Sequence, residues 1–107
     1  MRTRKRRPTH PGRILREDYL EPLSLSVTRL AAYLDVSRKT VSKIVNERGA
    51  VTPDMALRLS KTFRTTPTLW LNLQNEYDLW HAEHESRDWR KARIVDIPDT
   101  EADSSLR

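Results

Sequence analysis

Apolar residues recur along this chain at spacings of three and four, in blocks separated by proline, serine or threonine, as amphipathic helices require. Pro11-Gly12 opens a block carrying Ile14, Leu15, Tyr19 and Leu20, and Pro22 stops it. Ser26 stands as an N-cap before Val27–Leu34, whose Val27, Leu30, Ala31 and Leu34 share one face. Ser37 caps a third block, 38–46, with Val41, Ile44 and Val45 turned inward. Thr52-Pro53 and Thr66-Pro67 each pair a cap with a first-turn proline. They open helices over 53–63 and from Pro67 to about Glu85. Only the neighbourhood of Val51 hints at extended backbone, and no strand is predicted. Five helices on short loops form one domain over residues 10–85, between an arm (1–9) and a tail (86–107).

The run VTRLAAYLDVSRKTVSKI, residues 27–44, carries a more specific pattern. Where one helix crosses close to the next, a small residue is needed midway along the first, and Ala31 stands there. Leu30 and Leu34 anchor that helix. Asp35 occupies the turn, where a left-handed backbone is needed; glycine is usual, and aspartate visits that conformation more readily than most residues. Val36 plugs the turn, and Val41 and Ile44 pin the second helix. Together these are the requirements of a helix-turn-helix.

Pinning Val41, Ile44 and Val45 inward turns the remaining side chains of 38–46 outward. They are long cations, hydroxyls and an amide, the groups that pair with phosphates and base edges. The first turn of such a helix enters the major groove. Ser37, Arg38, Lys39 and Thr40 are therefore the leading candidates for base contact, followed by Ser42, Lys43 and Asn46. Thr28 and Arg48 are expected to hold phosphates of double-stranded DNA.

Charge sharpens this picture. The net charge of +5 hides an asymmetry: residues 1–64 hold fifteen Lys/Arg against six Asp/Glu, and residues 65–107 hold five against nine. A basic half beside an acidic half suits a polyanion-binding face and a second face with another task. The arm MRTRKRRPT fits a solvated tail, a phosphate-binding arm or a segment that folds onto a partner. Cysteine is absent, which excludes disulfides and thiolate metal sites. No apolar run approaches the roughly 18 residues of a membrane span, and the N-terminus lacks a signal peptide's apolar stretch. The expected location is cytoplasmic.

Trp70, Leu73, Tyr77 and Trp80 form an aromatic stripe on the last helix. A domain this small can scarcely enclose all of it, so the stripe is a candidate homodimer interface. A dimer suits paired half-sites about one DNA turn apart. His81 and His84, near Asp78, Glu83 and Glu85, read as surface groups rather than a metal site, and no role is assigned to His10. With only Gly12 and Gly49 present, no glycine-rich phosphate loop exists. No cofactor and no catalytic constellation is indicated, so an enzyme is not expected.

The segments HPGRILREDYLEPL, VTPDMALRLSKTF and TPTLWLNLQNEYDLW, flanking the helix-turn-helix over roughly residues 8–85, resemble HigA-type antitoxins of the Xre helix-turn-helix class. That resemblance implies an all-α, five-helix, lambda-repressor-like fold and a homodimeric repressor on an operator in its own promoter. It also implies a partner, a HigB-like (RelE-related) toxin that cleaves mRNA and is neutralised by direct binding. A basic toxin would favour the acidic groups after residue 75. A stand-alone regulator without a toxin and a helical protein-interaction adaptor remain the alternatives.

Overall fold

A computed structural model describes residues 7–96 of the chain. Most of the basic arm and the last eleven residues of the tail lie outside the described residues. The fold is all-α. Helix α1 (Pro11–Ile14) runs directly into a wider π-helical segment (Leu15–Leu20), and is followed by α2 (Val27–Leu34), α3 (Arg38–Val45), α4 (Pro53–Phe63) and α5 (Pro67–Glu85). A 3-10 turn, Asp88–Lys91, lies beyond α5, where no helical pattern was evident in the sequence. No strand occurs among the described residues.

Helices α2 to α5 begin as the sequence predicts. Ser26, Ser37, Thr52 and Thr66 all accept a backbone N–H of the first turn through their hydroxyls. Pro53 and Pro67 fill first-turn positions where a missing N–H costs nothing. The first segment departs from the 3.6-residue period. Glu21 donates its N–H to the carbonyl of Arg16, five residues back, and the wider turn places Leu15 and Leu20, also five apart, both in the core. Pro22 has no N–H with which to continue an ordinary α-turn.

The core collects Leu15, Leu20, Leu30, Ala31, Leu34, Val41, Ile44, Val45, Val51, Met55, Ala56, Leu59 and Trp70. Trp70, expected on a surface stripe, is instead fully buried, at 0% exposure. Its ring lies 5.3 Å from that of Tyr19, and its indole N–H donates to Thr65 Oγ1 at 2.8 Å. It lies in the first turn of α5; Leu71 and Leu73 pack against the same core, and beyond Gln74 no residue of α5 is fully buried. Buried Gln74 joins α5 to the α3–α4 loop by accepting the N–H of Val51 at 2.8 Å.

Candidate nucleic-acid interface

The helix-turn-helix forms as the sequence predicts. Asp35 turns the chain in the left-handed region (φ 58°, ψ 48°), and Ala31 and Ala32 carbonyls accept its N–H. The Ser37 hydroxyl accepts the N–H of Thr40 at 3.1 Å and lies 2.9 Å from the Thr40 hydroxyl. Val41, Ile44 and Val45 are buried. That leaves Arg38, Lys39, Thr40, Lys43 and Asn46 exposed and Ser42 half-buried on the opposite face.

Several of these outward groups are already oriented. Arg38 Nε donates to the Thr28 hydroxyl at 3.0 Å, which ties the first turn of α3 to the first turn of α2. Asn46 Nδ2 donates to the carbonyl and hydroxyl of Ser42, at 2.9 and 3.2 Å. Arg38, Lys39, Ser42, Lys43, Asn46 and Arg48 together line a shallow open groove. Four of the six carry positive charge, none is a carboxylate, and no ion pair engages Lys39, Lys43 or Arg48 among the described residues. Such a surface attracts a polyanion and presents hydrogen-bond donors to it.

Two other arginines of the basic half have different work. Arg16 donates to the Val45 carbonyl, closing the last turn of α3. Arg58 on α4 donates to the carbonyls of Leu34 and Asp35, at 2.8 and 3.1 Å, and pairs with Asp54 at 2.7 Å. Flanking helices thus hold the ends of both helices of the motif. Cations read from sequence as part of a basic half are therefore partly structural, and their positions beside helix C-termini become visible only in three dimensions.

His10 and Gly12 complete the support of α3. A Cβ added to Gly12 would lie 1.7 Å from the Ile44 carbonyl oxygen, so the two backbones meet with no room for a side chain. His10 is 4% exposed and caps α1, its Nδ1 accepting the Gly12 N–H at 2.8 Å. Its ring meets Tyr77 of α5 edge-on at 4.7 Å. Burial holds its pKa below the usual 6.5, although Glu47, Asp78 and the nearby Gly49 backbone pull it upward. The proline after His10 was the available sign that this histidine caps a helix.

Of the expected stripe on α5, Leu73, Tyr77 and Trp80 are half-buried and Leu79 beside them is 61% exposed. Trp80 stacks on His84 at 4.0 Å, and His81 pairs with Glu85. The described residues contain no group of three or more His, Cys, Asp or Glu placed to hold a metal. They contain no helix long and apolar enough to cross a membrane.

Comparison with known proteins agrees with this geometry. A family model described as helix-turn-helix matches residues 17–70. A helix-turn-helix-type transcriptional regulator of Haemophilus influenzae is 54% identical over 82 residues, covering 77% of each chain. Antitoxin HigA-1 of Vibrio cholerae is 40% identical over 80 residues, covering 75% of each. The solved structure of Pseudomonas aeruginosa antitoxin HigA with the higBA promoter superposes with a TM-score of 0.77 at 39% identity, covering 86% of this chain and all of that one. The chain belongs to the helix-turn-helix family, among its HigA-type antitoxins.

Proposed function

We propose that this chain is a sequence-specific DNA-binding antitoxin that represses its own operon and neutralises a HigB-like, mRNA-cleaving toxin. The observation that carries the DNA-binding part is the carboxylate-free groove on the solvent face of α3, with Arg38, Lys39, Lys43 and Arg48 around it. A relative 39% identical, solved with its promoter, supports the same reading. Ser37, Arg38, Lys39 and Thr40 contact base edges, Ser42, Lys43 and Asn46 extend the contact, and Thr28 and Arg48 hold phosphate. The chain acts as a homodimer through Leu73, Tyr77 and Trp80 of α5, a reading supported by their being only half-buried beside exposed Leu79. Trp70 has no place in that interface.

The test is a gel-shift titration with a duplex carrying the chain's own promoter. Lys39→Ala and Arg38→Ala each lower affinity by about 1–3 kcal/mol, roughly five- to 150-fold, with unchanged thermal melting. Normal binding by both variants would remove α3 from the interface. The Haemophilus influenzae relative is named a transcriptional regulator, which favours a second reading without a toxin. Coexpression with the product of the neighbouring reading frame separates the two. The antitoxin reading requires rescue of toxin-arrested growth, lost on truncation at Glu85 more than on deletion of residues 1–7.

A further inference from the structure

His10 lies where three elements meet: the start of α1, the loop that follows α3, and the middle of α5. Its neutral ring accepts the Gly12 N–H at 2.8 Å. Gly12 in turn rests on the Ile44 carbonyl with no space between the backbones. The Gly49 backbone also lies near enough to the ring to favour its charged form. Gly49 belongs to the turn that closes α3, where the N–H groups of Arg48 and Gly49 both return to the Lys43 carbonyl, at 2.8 and 3.1 Å. Lys43 and Arg48 both line the cationic groove. On the far side the ring abuts Tyr77.

We infer that His10 is a titratable positioning residue for operator binding, its neutral ring holding the end of the recognition helix in place and its protonation releasing it. The inference rests on the DNA-binding reading above. A protonated imidazole carries a hydrogen on both ring nitrogens and can no longer accept from Gly12. The cap of α1 is then lost, and two N–H groups oppose each other inside the fold. The groups facing the ring are Glu47 from the α3–α4 loop and Asp78 and His81 from α5. The two carboxylates soften the penalty of the charge without restoring the lost bond, and His81 adds to the penalty once charged. Tyr77 closes the remaining side. DNA contact through α3 and titration of a buried histidine about one helix away are thereby one equilibrium.

Linkage makes the effect measurable and gives it an unusual sign. Acidification adds positive charge to the protein, and electrostatics alone strengthens its hold on DNA. Release of α3 weakens it instead. The experiment measures affinity for the promoter duplex at fixed ionic strength from pH 8 to pH 5.5, with far-UV circular dichroism at each point. Wild-type affinity is expected to fall with pH, by at most about tenfold per pH unit for each protomer, while helix content holds. His10→Asn keeps a cap acceptor without a titrating ring, so its affinity is expected to stay level or rise. A flat or rising wild-type profile overturns the inference, as does an equal fall in His10→Asn or a fall that tracks loss of helix. Absence of promoter binding at pH 8 overturns the DNA-binding reading itself, and this inference with it. Should His10→Asn fail to fold, NMR titration of the wild-type ring decides. Its pKa must be lower in the operator complex than in the free protein, because coupling is reciprocal, and equal values overturn the inference.

Discussion

Replacing Gly12 by alanine tests how tightly the first helix is seated on α3. The new Cβ falls 1.7 Å from the Ile44 carbonyl oxygen and 2.7 Å from its carbon. A non-bonded carbon and oxygen settle at about 3.3 Å, so α1 and α3 must part by about 1.6 Å. Both colliding groups are fixed to backbone, and no rotamer change relieves the clash. Overpacking costs about 1–3 kcal/mol in ordinary cores, and the upper end applies here. Alanine's better helix propensity returns up to about 1 kcal/mol. The net loss is about 2 kcal/mol, a fall in melting temperature of roughly 8–16 °C for a domain of this size. Gly49→Ala is the control: its Cβ comes no nearer than 3.2 Å to any atom, the Lys43 Cβ, and its effect stays under about 1 kcal/mol. Differential scanning calorimetry of the two variants decides. A Gly12→Ala protein that melts at the wild-type temperature would refute the close seating of α1 on α3.

The two tryptophans of α5 separate cleanly. Trp70→Ala opens the core and costs about 3–5 kcal/mol, read as a collapse of the urea midpoint, whereas Trp80→Ala shifts the protein toward monomer in light scattering and leaves it folded. Arg58→Ala removes charged hydrogen bonds to the carbonyls of Leu34 and Asp35; as the arginine is partly solvated, thermal melts should show a loss of about 1–2 kcal/mol. Stability also depends on pH through His10. Its folded-state pKa lies below 6.5, so the unfolded chain binds the proton more readily. Stability is full above about pH 6.5, declines as pH falls below that, and levels off beneath the folded-state value. Urea midpoints at pH 8 and pH 5.5 check this, and an unchanged midpoint would count against a buried neutral ring.

Much of this molecule was legible in its sequence because its signals are local. Caps, first-turn prolines and apolar spacings fix α2, α4 and α5 at their observed bounds and end α3 within one residue. Ala31, Asp35, Val36, Val41 and Ile44 fall where a helix-turn-helix needs them. What was illegible depends on the approach of distant segments. Periodicity gives Trp70 and Trp80 the same character, and only the docking of the first turn of α5 against Tyr19 and Thr65 separates core from surface. Arg16 and Arg58 read as members of a basic half, yet helix termini 29 and 24 residues away in the chain claim them. Gly12 reads as a helix opener, and the backbone it touches lies more than thirty residues further on.

The four described non-glycine residues with a left-handed backbone are Ser24, Asp35, Glu47 and Arg64. Each turns a corner beside a helix end, while neither glycine of the chain has a positive φ. Glycine is reserved here for volume, at the seat of α1 on α3, and the corners are made by residues that elsewhere would resist them. Asp35 tolerates its corner because aspartate is less averse to it than most side chains and because Arg58 grips the carbonyls on either side of the peptide link. For recognising such motifs in other chains, the informative signature at this turn is a dihedral angle and an arginine on the following helix. A search that demanded glycine at position 35 would pass this protein by.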